Sequence, residues 1–248
     1  MSTAELLRVL TGIAVLVAAA AVVLRVYGVR RPLAPASAVA RGALQLAAIS
    51  LVLTGVIASH LWVTAALLVM FTVAATTATR RLGWSTQRAA QVVSAMAAGV
   101  LLALGVVFVT GAIGFTARYT LAIGGIVVGN SMTIATLTGR RFTQATIDHW
   151  EEVEGWLALG ARPAQSTAQI ARDAVYSAMI PTTDQTRTTG LVTLPGAFVG
   201  AIFGGVSPLE AGRFQIVVLA AIMAAGSLTA VLLAHWLQPI RTRPEALR

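Results

Sequence analysis

The chain has 248 residues, 57% of them hydrophobic and 11% charged, with a net charge of +9 and a mean hydropathy of +0.81. Soluble domains carry about 25% charged residues, so this composition excludes an ordinary water-soluble globule. All eighteen basic residues are Arg and there is no Cys, which excludes a P-loop with its phosphate-reaching Lys and any disulfide or thiolate metal site.

The apolar runs are continuous rather than alternating, which predicts membrane-crossing helices rather than barrel strands. A first span is expected from about Leu6 to Leu24. Arg25, Arg30 and Arg31 follow it and only Arg8 precedes it, the reverse of a signal peptide, so it is read as uncleaved. A second span covers about Ala38 to Ile57 and a third about Leu61 to Ala78, ending at Arg80 and Arg81. A fourth covers about Ala89 to Val109 and a fifth about Tyr119 to Leu137. A polar stretch, about 138–180, precedes a sixth span at about Thr188 to Phe203 and a seventh at about Arg213 to Trp236. The expected fold is all-α: a polytopic bundle of about seven membrane helices in a single domain over 1–248, with a short cytoplasmic helix pair. Arginines gather on one side of this arrangement, Arg80, Arg81, Arg88, Arg140, Arg141, Arg241 and Arg243 among them. The positive-inside rule makes that side cytoplasmic, with the N-terminus outside and the C-terminus inside a plasma membrane. Charges at the ends of apolar runs mark topology, and nucleic-acid binding is not expected.

The stretch at 138–180 is the most informative. Trp150, Val153 and Leu157 share one helical face, with Glu151, Glu152 and Glu154 on the others. Leu159-Gly160-Ala161 is expected to end that helix through a left-handed Gly cap. Pro163 suits the first turn of a second helix, about Pro163 to Ile180, and Pro181 is expected to separate it from the sixth span. Such a compact acidic knob fits either docking to a soluble partner or lying on headgroups. Clustered Glu argues against the second, since surface-lying helices favour Lys and Arg on their polar face.

The run from Glu154 through Trp156, Gly160 and Arg162 to Pro163 resembles the coupling segment of FetB-type iron-export permeases. The similarity continues through Arg172-Asp173-Ala174, Ile180-Pro181-Thr182, Leu194-Pro195-Gly196 and Ser207-Pro208-Leu209-Glu210, and upstream through Arg41-Gly42-Ala43-Leu44-Gln45 and Gly129-Asn130-Ser131-Met132. The resemblance covers about 41–236. It implies a permease subunit of an ABC transporter exporting iron or a related metal, paired with a separate FetA-like cytosolic P-loop ATPase that supplies the ATP and Mg site. No cofactor is then expected in this chain. Glu151, Glu154, Leu159, Gly160 and Arg162 become the candidate ATPase-coupling residues. Family members often carry two Met after the Leu-Pro-Gly, where this chain has Ala197 and Phe198.

Polar residues inside spans mark either a substrate path or interhelical hydrogen bonds. Gln45 and Asn130 are the clearest, Met132 offers a soft thioether, and Asp184 stands near the mouth of the sixth span. Asp184 is expected to pair with Arg187, and Glu210 with Arg213, at helix-turn spacing. Gly125 and Gly129, and Gly196, Gly200 and Gly204, recur every four residues and predict close helix packing, within one bundle or between two copies in a homodimer. His60, His149 and His235 have no metal-ligand spacing, so the metal ligands, if any, are unassigned. Two other readings stay open: an ABC permease for a nucleotide sugar or lipid, and an ATP-independent secondary transporter. The lack of any Asp or Glu in mid-span counts against the latter.

Overall fold

The computed structural model describes residues 2–56 and 59–246, with side chains of 51–56 left aside. The expected end of the second span at Ile57, and Arg248, lie outside the described residues. The chain divides into two compact units, 1–58 and 59–248.

The first unit is a helical hairpin of α1 (Thr3–Val26) and α2 (Ala34–Val56). Ser2 and Glu5 form a reciprocal cap at the start of α1, which satisfies two of its orphan N–H groups. No residue of α1 is buried within the structure, although Leu7, Leu16 and Val23 are large and apolar. Such a surface is stable in a lipid solvent and not in water.

The second unit contains α3 (His60–Arg81), α4 (Thr86–Val109), α5 (Ala117–Asp148), α6 (Trp150–Ala158), α7 (Pro163–Ser166), α8 (Ala168–Thr188), α9 (Gly196–Phe203) and α10 (Pro208–Leu237). No strand occurs among the described residues; one isolated bridge joins Thr189 and Thr193. Helices α4, α5 and α10 make the centre. Their core is built from Val92, Met96, Val100, Val127, Val218, Ile222 and Leu233. A smaller cluster of Phe142, Ala171, Ala174 and Ala234 joins α5, α8 and α10 at one end. At that same end Gln91 Nε2 donates to the Trp236 carbonyl at 3.0 Å, and Thr167 Oγ1 donates to the Gln238 carbonyl at 2.8 Å.

Glycines set the closest helix approaches. A Cβ at Gly99 on α4 would strike the Ala225 carbonyl and Thr229 hydroxyl of α10. One at Gly124 or Gly139 on α5 would lie 2.8 Å or 2.6 Å from the side chains of Leu67 on α3 and of Leu82 just past its end. Backbones approach this closely only where side chains are missing.

Among the described residues five helices are long and apolar enough to cross a membrane: α1, α3, α4, α5 and α10. Three expectations need correction. First, α5 does not stop near Leu137. It runs to Asp148, because Thr138, Gly139, Phe142, Thr143 and Thr146 form a buried stripe at helical spacing. Second, the helix expected over Pro163–Ile180 is the single turn α7 followed by α8, and Pro181 lies inside α8 rather than ending it. Pro181 has no N–H for the preceding turn, yet α8 keeps its packing against α5 and α10 through Ala171, Ala174 and Ala178. Third, the sixth span is not one helix over 188–203. Its helical part, α9, has eight residues, about 12 Å of rise, which cannot cross about 30 Å of hydrocarbon.

Candidate functional site

The break between α8 and α9 is built by local chemistry. Gly190 has φ +91°, a conformation that disfavours side-chain-bearing residues, and its N–H donates to the Thr193 carbonyl at 2.8 Å. Thr189 Oγ1 donates to the Gln185 carbonyl at 2.8 Å, and the N–H groups of Val192 and Thr193 donate to the Thr188 carbonyl at 2.9 and 3.2 Å. The carbonyl end of α8 is therefore largely occupied. The start of α9 is not: Pro195 stands at its N-cap with no side-chain hydrogen bond.

A cavity of about 170 Å³ lies at this break. Ile126 and Asn130 of α5, Thr182, Gln185 and Thr186 of α8, Pro195 and Ala197 around the start of α9, and Gln215, Val218, Leu219 and Ile222 of α10 line it. Three primary amides and two hydroxyls thus meet inside an otherwise apolar bundle, with no charged lining residue. Asn130 Nδ2 donates to the Ile126 carbonyl of its own helix at 2.9 Å, so the side chain holds no second helix. Gln215 is 6% exposed, and its Oε1 has no hydrogen-bond partner. Such a group costs roughly 1–3 kcal/mol while it stays unpartnered.

The expected path residues separate here. Asn130 lines the cavity. Met132 packs against the apolar core. Asp184 is exposed and pairs with Arg187 at 3.8 Å. Gln45 is exposed on α2, in the other unit. No Glu210–Arg213 ion pair forms; Glu210 sits in the first turn of α10, where its N–H donates to the Ser207 cap at 3.3 Å. Gln215, Gln185, Thr182 and Thr186 escape a reading by sequence. Gln215 stands two residues after Arg213, where a polar side chain reads as interfacial, and the other three fall in a segment read as a linker. No group of three or more His, Asp or Glu that could hold a metal occurs among the described residues.

The second candidate surface is α6 with its cap. Val153 is buried, Trp150 and Leu157 are half-buried, and Glu151, Glu152 and Glu154 are exposed, as the face analysis expects. Gly160 takes φ +87°, and the Ala161 N–H donates to the Trp156 carbonyl at 3.0 Å, which closes a left-handed helix cap. Leu159 is 84% exposed beside it, and Arg162 is exposed too. Of the spaced glycines, Gly125 faces Met70 at 3.0 Å, a Cβ at Gly129, Gly196 or Gly200 would meet nothing within 4 Å, and one at Gly204 would meet carbonyls of its own helix at 3.3 Å.

The family model described as "Uncharacterised protein family (UPF0014)" matches residues 7–239. The chain is 36% identical over 197 residues to "UPF0014 membrane protein STAR2" of Oryza sativa subsp. japonica, covering 79% of this chain and 69% of the relative. It is 37% identical to "UPF0014 membrane protein YjkA" of Bacillus subtilis, over 60% of this chain and 58% of the relative. It is 34% identical to "Probable iron export permease protein FetB" of Escherichia coli, over 56% of this chain and 53% of the relative. The chain thus aligns with little over half the length of the two bacterial relatives. No solved structure matches. With a family model spanning nearly all of an all-helical, apolar chain, this protein belongs to the UPF0014 family of membrane proteins.

Proposed function

We propose that this chain is the membrane-spanning permease subunit of an ABC-type exporter for iron or a related metal, driven by a separate cytosolic ATPase. The observation that carries the reading is the uncharged polar cavity at a helix break in an apolar bundle, in a chain whose E. coli relative is named an iron export permease. Irregular backbone and unpaired polar groups at membrane depth persist only where they line a water-filled path or are covered by protein. Discontinuous helices at such sites recur in transporters. Lys is absent from the sequence, so the nucleotide site belongs to a partner.

In this mechanism the ATPase engages the exposed surface of Glu151, Glu154, Leu159, Gly160 and Arg162, and the rigid Gly160 cap passes its motion to α5 and α8. The arginine-bearing end of the bundle is cytoplasmic by the positive-inside rule, with the N-terminus outside. Gly129, Gly196 and Gly200, where an added Cβ would meet nothing within 4 Å among the described residues, then face a second permease copy. The test is to purify the tagged full chain from its native membranes in mild detergent and to assay iron efflux in vesicles. A stoichiometric P-loop ATPase and ATP-dependent efflux are expected. Efflux that persists without ATP or any ATPase would replace this reading with a secondary transporter.

A further inference from the structure

We propose that the exposed face of α8 lines a water-filled passage that enters the bundle from its arginine-bearing end and stops at the α8–α9 break. The inference rests on the permease reading above and says where the path of that permease runs.

The level that α8 reaches follows from its neighbours. At its start, Ala171 and Ala174 pack with Phe142 of α5 and Ala234 of α10. At its end, Thr182, Gln185 and Thr186 share a cavity lining with Asn130 of α5 and Ile222 of α10. Helix α10 has 30 residues, about 45 Å of rise, and Ile222 stands about 21 Å from its first residue. A hydrocarbon layer of about 30 Å placed anywhere along such a helix includes that level. Asn130, about 20 Å into the 32-residue α5, leads to the same result. The last turns of α8 therefore stand within the layer that α5 and α10 cross.

Yet α8 is not among the helices apolar enough to cross a membrane. Arg172, Asp173, Tyr176, Asp184, Gln185 and Arg187 are all exposed along it. Asp184 and Arg187 keep 60% and 75% of their side-chain surface open, although they pair at 3.8 Å. Charged groups at this level are strongly disfavoured against acyl chains and face either a water-filled space or other protein. Protein cover would strip water from both charges, and a pair at 3.8 Å, longer than a charge-assisted hydrogen bond, returns little of that cost. Water is the cover that fits. Pro181, also exposed, has no N–H to give the Ser177 carbonyl, which leaves that group for water on the same face. Gln185 is exposed and lines the cavity as well, so the cavity opens onto this face. Past Arg187 the exposed side chains turn apolar at Leu191, Val192 and Leu194. The polar face thus ends at the break, and its open end lies near Arg172.

The natural absence of cysteine gives a clean assay. Asp184→Cys, Tyr176→Cys and Ala220→Cys are made singly in the full chain and studied in sealed inside-out vesicles from the native host. Ala220 is the control at the same level: it is exposed on α10 between the cavity residues Leu219 and Ile222, but it lines an apolar groove with Leu102 and Val106. A membrane-impermeant cationic methanethiosulfonate, added at the cytoplasmic face, is expected to modify positions 184 and 176 at least about tenfold faster than position 220. The attached group should then block the ATP-driven metal efflux that Asp184→Cys alone leaves intact. Equally slow reaction at all three positions would show that lipid or a second copy covers the face and would overturn the proposal. Equally fast reaction would place this level outside the membrane and overturn it too. Fast labelling at position 184 that leaves efflux unchanged would take the path off α8. Absence of ATP-driven efflux before any labelling would instead bring down the permease reading, whatever the labelling rates.

Discussion

Replacing Gly99 by Ala tests the tightest seam in the bundle. The added Cβ would sit 3.2 Å from the Ala225 carbonyl carbon and inside contact distance of that carbonyl's oxygen and of Thr229 Oγ1. A carbonyl oxygen in a helix cannot rotate away, so relief requires α4 and α10 to part. Ordinary carbon–oxygen approaches are about 3.3–3.6 Å, which makes the separation close to 1 Å. A gap of that size forfeits a quarter to a half of each dispersion contact along the seam, where Val92, Met96, Val100 and Ala103 of α4 lie in the shared core with α10. It also breaks the long hydrogen bond from Thr229 Oγ1 to the Ala95 carbonyl, 3.4 Å. Overpacking of this kind costs about 1–3 kcal/mol. Since about 1 kcal/mol moves the midpoint of a domain this size by about 2–4 °C, thermal inactivation in detergent should come roughly 2–12 °C earlier. Gly105→Ala is the matched control, because it lies on the same helix with nothing within 4 Å of the added carbon. Ala being the better helix former, that variant should be neutral or slightly stabilised. Equal melting of the two variants would refute the close-approach argument.

Asn130→Leu should insert, fold and hold its ATPase with stability changed by less than about 1 kcal/mol, because it gives up only a hydrogen bond within its own helix; metal efflux should fall sharply, and unchanged efflux would take the residue off the path. Gly160→Val forces a β-branched residue to φ +87°, a local cost of about 1–3 kcal/mol; co-purification of the ATPase should drop while membrane insertion persists, and Gly155→Ala, with open space around it, should leave association unchanged. Asp184→Asn should alter neither melting nor efflux appreciably, since exposed pairs such as Asp184–Arg187 contribute about 0–1 kcal/mol; loss of efflux would return Asp184 to the cargo path.

The sequence made the long apolar helices legible and the broken one illegible, for a physical reason. Four of the apolar runs fix helices α1, α3, α4 and α10 within a few residues, because in lipid every backbone group must bond inside its own segment and no competing structure exists. The face of α6 is legible for the ordinary amphipathic reason, and Gly160 for its cap. The extension of α5 is hidden because Thr138, Thr143 and Thr146 are polar by type yet buried, a stripe made by tertiary packing rather than hydropathy.

The sixth segment misleads because its apolar length is real while its continuity is not. Residues 188–203 contain enough hydrophobic side chains for a span, but Gly190 and Pro195 bracket a stretch that bonds to itself and to the end of α8. The segment expected as a sixth span is instead divided between the polar last turns of α8 and the apolar α9. That division places Thr182, Gln185 and Thr186 opposite Asn130 and Gln215. A variant that restores helical continuity, Gly190→Ala with Pro195→Ala, should abolish efflux while keeping the protein folded and membrane-inserted. Intact efflux in that variant would show that the break, and with it the cavity, is incidental to transport.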